Sequence, residues 1–120
     1  MNESRKPENR GGVVVVNSET MGRGDEALGT KLLTNFLRTL VGVHPKPDAI
    51  IFYNAAVRLL ATDSPHLDAL KHLEEAGVDL LACITCLDFY GLESKIGVGT
   101  VSNMREICQR LLSAPKVISI

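Results

Sequence analysis

Short apolar runs alternate with helical apolar patterns along this chain. Residues 13–16 are four consecutive valines, which are β-branched and too few for a helix, so they predict a strand that is buried on both faces. Comparable runs predict strands at residues 49–53, 79–82 and 116–120, and a shorter one at residues 57–60. Strands of this apolar character are typical of a parallel sheet that helices cover.

The first segment between these runs carries leucines at helical spacing. A helix is predicted to begin after Asp25, which suits the N-cap, and Glu26 favours the positive end of the helix dipole. The helix is expected to end near Gly42. Its apolar face is formed by Leu28, Leu32, Leu33, Phe36, Leu37 and Leu40.

Three further helices are predicted downstream. The first begins at Ser64 and Pro65, where an N-cap residue is followed by a proline in the first turn. A short helix lies within residues 87–95, and the last helix is capped by Ser102 or Asn103. The inward positions are Leu67, Leu70 and Leu73 in the first of these and Met104, Ile107, Cys108 and Leu111 in the last. Strands that alternate with helices predict an α/β fold, a three-layer α/β/α sandwich with a mostly parallel sheet.

Size and charge narrow the possible functions. The 120 residues suffice for one domain, and 45% hydrophobic residues with only 4% aromatic ones make its core aliphatic. Thirteen basic and fourteen acidic residues give a formal net charge of −1, so we expect no positive electrostatic potential that would attract nucleic acid. Neither a spanning run of about 20 apolar residues nor an apolar signal segment is present, which predicts a cytoplasmic protein with no membrane partner.

Residues 1–12 differ in composition from the rest of the chain. They are mostly polar or charged and end in two glycines, which predicts a disordered leader or a linker. The folded domain is therefore expected to span residues 13–120.

Two cysteines three positions apart stand where a buried strand is predicted to end. Cys83 follows that strand directly, and Cys86 lies three residues later. Open α/β sheets place their chemistry beyond the carboxyl ends of the strands, and a cytosolic CxxC pair in such a pattern is typical of thiol chemistry. We expect the Cys83 sulfur to be reachable from solvent and largely ionised, the form that attacks another sulfur. The alternative is two small apolar residues in a core.

The other cysteine and the histidines suggest no site. Structural zinc needs four ligands, usually as two closely spaced pairs, whereas Cys108, His44, His66 and His72 are scattered, so no metal and no cofactor are expected. Cys108 is predicted to pack in the core, and His66 and His72 are predicted to face solvent.

The loop after the first predicted strand contains two glycines before a helix, a position where backbone N–H groups bind anions. Gly22 and Gly24 are followed only at Gly29 by a third glycine, so a tight turn explains the loop better than a dinucleotide site. The loop shares the predicted sheet edge with the cysteine pair. Arg23 and Gly24 are therefore candidates for stabilising a thiolate or persulfide anion, and Asn54 is a third group at that edge.

Five segments in order carry a resemblance to a known family. They are residues 17–26 (NSETMGRGDE), 50–54 (IIFYN), 73–77 (LEEAG), 83–91 (CITCLDFYG) and 102–104 (SNM). The chain resembles the DsrE/DsrF-like sulfur-relay family over residues 13–120, most closely the C-terminal domain of YedF-type sulfurtransferase-like proteins of selenium metabolism. The resemblance implies a mostly parallel five-stranded sheet between helices, and trimers or hexamers.

The resemblance also implies an activity for the cysteine pair. Cys83 stands where members of the family carry sulfur as a persulfide, and Cys86 matches the second cysteine of the YedF-type motif. The implied function is the relay of sulfur, or selenium, between donor and acceptor proteins, with a TusA-like domain as a candidate partner. Two alternatives stay open: a CxxC thiol-disulfide oxidoreductase and a non-catalytic subunit of a sulfur-relay oligomer.

Overall fold

Five strands form one sheet in the order β4-β3-β2-β1-β5, and each neighbouring pair is parallel. The strands are β1 (Gly12–Val16), β2 (Ala49–Phe52), β3 (Asp79–Cys83), β4 (Thr100–Ser102) and β5 (Lys116–Ser119). The computed structural model describes residues 11–120, so most of the predicted leader lies outside the described residues. Because all five strands run in one direction, their carboxyl ends meet at one edge of the sheet.

The helices lie on both faces of this sheet. They are α1 (Glu26–Gly42), a 3-10 helix (Asn54–Leu60), α2 (Leu67–Glu75), α3 (Ile84–Phe89) and α4 (Met104–Ser113). One face packs against α1, the 3-10 helix, α2 and α3, and the opposite face packs against α4. The predicted three-layer α/β fold with a five-stranded parallel sheet is confirmed.

The core is aliphatic and divided by the sheet. On the α1 face, Phe52 is the largest fully buried side chain and packs in one cluster with Leu33 and Leu37 of α1. On the α4 face, alternate residues of the same strands form a smaller cluster that Ile107 of α4 covers. This alternation follows from the period of two in a strand, which sends neighbouring side chains to opposite faces.

One strand prediction is wrong, and one strand was not predicted. Residues 57–60 belong to the 3-10 helix, because a four-residue apolar run suits a buried helical turn as well as a strand. The missing strand is β4, a three-residue edge strand whose first two residues are exposed and which carries no apolar run. The amino-terminal boundary also moves, since Gly12, assigned to the leader, is the first residue of β1.

Two helix predictions and one burial prediction also need correction. The helix predicted within residues 87–95 is α3, which begins at Ile84 immediately after β3 and ends at Phe89. The helix predicted to begin at Ser64 begins at Leu67, because the Ser64 hydroxyl accepts a hydrogen bond from the His66 N–H in a turn before the helix. That turn buries His66, which is only 8% exposed instead of facing solvent.

The caps of α1 and α4 are as predicted, whereas their apolar faces are narrower. Asp25 accepts from the Leu28 N–H and Asn103 accepts from the Glu106 N–H. Leu28 and Leu32 are nevertheless exposed, and in α4 only Ile107 is fully buried. The α4 residues Met104 and Cys108, predicted to be buried, are exposed as well. Within residues 11–120, no helix combines the length and apolar character that crossing a membrane requires.

The burial difference along α1 gives a stability prediction. Leu37→Ala removes a side chain that is 0% exposed and should lower the free energy of unfolding by about 2–5 kcal/mol through lost burial and a cavity. Leu28→Ala is the matched control, because Leu28 is 55% exposed on the same helix, and it should change stability by less than about 0.5 kcal/mol. Urea unfolding checks both. Equal losses in the two variants would contradict the assignment of the buried face.

Candidate functional site

The candidate site lies at the carboxyl end of β3, where the strand passes into α3 with no intervening loop. Cys83 is the last residue of β3 and the N-cap residue of α3, and Cys86 lies in the first turn of that helix. Residues three apart around a helix start are neighbours on one side. The CxxC spacing therefore brings the two side chains together, and they are hydrogen-bonded to each other.

A backbone amide completes the group. The Asn54 N–H donates to the Cys86 sulfur, with 3.0 Å between nitrogen and Sγ. Asn54 is the first residue of the 3-10 helix after β2 and has a φ of 54°, so it occupies the left-handed region that non-glycine residues rarely adopt. Asparagine tolerates this region best among non-glycine residues, and such outliers concentrate at functional sites. Asn54 thus contributes its backbone N–H to the site.

Cys83 is buried, contrary to the expectation from the sequence. The residue is 1% exposed and belongs to the apolar cluster on the α4 face, with Leu81 and Ile107. Its register partner in β4 is Ser102, so a neighbouring strand also covers it. Cys86 is only partly buried and is the more accessible thiol of the pair. The Cys83 sulfur is therefore not the one that solvent reaches first.

The pair favours a protonated Cys86. Burial, the largest cause, raises the pKa of the Cys86 thiol above its ordinary value, whereas the Asn54 N–H acts in the opposite direction. The hydrogen bond to Cys83 and repulsion from a Cys83 thiolate raise this pKa further. At neutral pH the accessible thiol is neutral, not largely ionised.

Arg23 and Gly24 are not part of this cluster. Both lie in the exposed loop after β1, and β2 separates β1 from β3 by two strand spacings of about 4.8 Å each. Within residues 11–120, Arg23 forms no ion pair, and the acidic residue of its loop, Glu19, pairs instead with Arg58. Their role as anion-stabilising groups stays a prediction.

A hydroxyl and a carboxylate beside Cys83 were missed from the sequence. Ser102 is 3% exposed and donates to Glu106 Oε1 at 2.5 Å. The two are four residues apart across the start of α4, so their spacing is the signal that was available. Because Ser102 pairs in register with Cys83, both side chains lie on the α4 face of the sheet.

The remaining titratable candidates do not form a metal site. No group of three or more Cys, His, Asp or Glu side chains suited to a metal ion occurs in the described part of the chain. Cys108 is exposed on α4, so the prediction that it packs in the core is wrong. Burial, and next the charge of Arg38, lower the pKa of His66, which keeps this imidazole neutral at pH 7.

Comparisons with known proteins agree on the fold. The sequence model of the DsrE/DsrF-like family matches residues 12–120. The ychN protein from E. coli is 21% identical with a TM-score of 0.65, over 92% of this chain and 99% of that one. MTH1491 from Methanobacterium thermoautotrophicum, a protein of unknown function, is 21% identical with a TM-score of 0.69, over 94% and 100%.

A third solved structure is similar to the same extent. BT1422 from Bacteroides thetaiotaomicron, a conserved protein of unknown function, is 20% identical with a TM-score of 0.63, over 92% of this chain and 95% of that one. At such identities the three structures show the fold alone. Among curated proteins, no match was found.

The thiol contact predicts an unusual pH dependence of alkylation. Because the pKa of Cys86 is raised, its thiolate fraction at neutral pH is low, and its reaction rate with iodoacetamide should keep rising above the pH range of an ordinary thiol. Cys83→Ala removes the two Cys83 contributions, so the midpoint should move to lower pH. Peptide mass spectrometry in a Cys108→Ser background follows Cys86 alone. An unchanged midpoint in Cys83→Ala would contradict the contact.

Proposed function

The chain belongs to the DsrE/DsrF-like family, and from that premise we propose that it relays sulfane sulfur through the thiols of Cys86 and Cys83. The observation that carries the proposal is the chain of contacts from the Asn54 N–H to the Cys86 sulfur and from Cys86 to Cys83. It lies at the carboxyl edge of a parallel sheet, where open α/β folds carry out their chemistry.

Cys86 is the receiving thiol in this proposal because it is the accessible one. Its thiolate attacks the outer sulfur of a donor persulfide R–S–SH, the donor S–S bond breaks, and the donor leaves as a thiolate that takes up a proton. The products are R–SH and Cys86–S–SH. The Asn54 N–H stabilises negative charge on the attacking sulfur, which offsets part of the desolvation that disfavours the thiolate.

Cys83 then shelters the transferred sulfur. Its thiolate attacks the outer sulfur of Cys86–S–SH, which yields Cys83–S–SH and returns Cys86 to the thiolate. The outer sulfur is then attached to a residue that is 1% exposed, which limits its access to water and unrelated thiols. The reverse step returns it to Cys86, from which the thiol of an acceptor protein removes it.

The finer family placement and the partners are part of the same proposal. The segment from Cys83 to Gly91 supports a YedF-type C-terminal domain, with selenium as an alternative cargo and a TusA-like domain as one partner. A trimer or hexamer is supported by large apolar side chains that stay exposed near both sheet edges: Val101, Met104, Val117 and Ile118.

A thiol-disulfide oxidoreductase is the second candidate, because two hydrogen-bonded thiols also suit disulfide formation. In that case both thiols lose a hydrogen to an external oxidant, and no sulfur is gained. The two functions therefore leave different masses on the protein.

Intact mass after incubation with inorganic polysulfide tests the relay. The Cys108→Ser protein is the reference, since exposed Cys108 would otherwise be labelled independently. It should gain one sulfur atom that a reductant removes, and Cys86→Ser should lower the labelling rate by about tenfold or more.

Cys83→Ser supplies the matched contrast to the Cys86 variant. It should still gain sulfur at Cys86 but lose it faster to added thiol, because the sheltered position is absent. Labelling of Cys86→Ser at the rate of the reference would overturn the relay order. Loss of two hydrogens without gain of sulfur would instead support the oxidoreductase.

A further inference from the structure

A cavity of about 610 Å³ opens near the thiol pair and is not used by the proposed relay. Its walls come from the loop after β1, α1, the 3-10 helix, the turn before α2 and the residues that follow α3. Small-molecule sites in proteins range from about 300 to 1,000 Å³ and combine apolar walls with a few polar groups. This cavity has that size and that mixture.

The cavity begins one helical turn from Cys86. Tyr90, which lines it, follows Cys86 by four residues, and the Tyr90 N–H donates to the Cys86 carbonyl at 3.1 Å. Side chains four apart on a helix are neighbours, with about 5–6 Å between their Cβ atoms. Two residues of the 3-10 helix, also four positions apart, contact this pair. Asn54 contacts Cys86, and Arg58 contacts Tyr90, with the Arg58 Cζ 5.6 Å from the ring centroid.

The charged groups of the cavity suit a ligand that carries both signs. Arg58 Nε pairs with Glu19 Oε1 at 3.0 Å and lies over the Tyr90 ring, so the guanidinium is held in place while its Nη groups stay available to a carboxylate. Asp63 also lines the cavity and forms no ion pair within residues 11–120, which leaves its carboxylate for an ammonium group.

The rest of the lining adds no competing charge. His66 is 8% exposed in the cavity wall and is neutral at pH 7, because burial and the nearby Arg38 lower its pKa. Leu59 and Leu92 provide apolar surface beside the Tyr90 ring. A ligand with a carboxylate, an ammonium group and a short apolar body therefore matches the site.

We infer that this cavity binds a small zwitterionic thiol peptide, with its carboxylate at Arg58, its ammonium group at Asp63 and its sulfur directed to Cys86. The inference rests on the proposed function, and it names the class of low-molecular-weight persulfide that supplies the sulfur. Transfer follows the same reaction as in the proposed relay: the peptide persulfide loses its outer sulfur to the Cys86 thiolate and leaves as a thiolate, which takes up a proton to give the peptide thiol.

Binding is tested without any sulfur transfer. S-methylglutathione has both charged ends and no free thiol, and it should bind the Cys108→Ser protein saturably in isothermal titration calorimetry. Arg58→Gln and Asp63→Asn should each weaken binding by about tenfold, the usual size for a lost charged hydrogen bond. Arg105→Gln is the matched control, because Arg105 is exposed on α4 across the sheet and should bind like the reference. Absence of binding, or equal binding by all variants, would overturn the inference.

Labelling kinetics separate this inference from the relay. Inorganic polysulfide is an anion with neither a carboxylate nor an ammonium group to be recognised, so its reaction with the reference protein reports on the relay without the peptide contacts. The ratio of the labelling rate with glutathione persulfide to that with polysulfide should fall by about tenfold in Arg58→Gln and in Asp63→Asn and stay constant in Arg105→Gln. A constant ratio in all variants overturns the cavity assignment, whereas failure of polysulfide to label the reference overturns the relay. Circular dichroism checks that each variant is folded. If Arg58→Gln does not fold, Asp63→Asn provides the test, because Asp63 is at an exposed position.

Discussion

The parallel pairing of β2 with β3 is the constraint on which the candidate site depends. Residues 49–52 pair in register with residues 79–82, so both strands end at the same height. Each strand is followed by a short helix on the same face of the sheet: the 3-10 helix follows β2, and α3 follows β3. A backbone N–H from one helix start thereby meets a thiol from the other. Neither helix start holds the site by itself.

The surroundings of the cysteine pair limit the reactivity of its thiols. Cys83 lies among aliphatic side chains, and the accessible Cys86 is kept protonated mainly by its own burial. The left-handed conformation of Asn54 aims one donor at the Cys86 sulfur, and the surrounding strands and helices maintain that conformation. In the proposed relay, this low reactivity at neutral pH would limit side reactions of the thiols before a donor persulfide lies beside them.

The sheet was predictable from the sequence because its central strands contain uninterrupted apolar runs, as at residues 13–16 and 80–82. The location of the cysteine pair followed, since a residue after such a strand must lie at the sheet edge. The 3-10 helix was not predictable, because four apolar residues fit a buried turn of helix as well as a strand. The strand β4 has only three residues, of which the first two are exposed, and it contains no run of apolar residues that could have predicted it.

The chemistry of the site was less predictable than its place. Which face of β3 receives the Cys83 side chain depends on register, and its cover comes from Ile107, more than twenty positions later. Asn54 was predicted to lie at this edge, but the sequence did not indicate that its backbone N–H would be the group that contacts the thiol. The direction of an N–H depends on the backbone φ angle, which the residue type does not fix. Sequence patterns report composition along a strand, while burial and hydrogen bonds depend on contacts between distant segments.

The most direct test of the central claim is an alkaline NMR titration that follows the Asn54 amide and the Cys86 Cβ together. If the Asn54 N–H donates to the Cys86 sulfur, its amide proton should shift with the same midpoint as the Cys86 carbon, above the range of an ordinary thiol, and the shift should vanish in Cys86→Ser. An Asn54 amide that does not respond while Cys86 ionises would contradict the account.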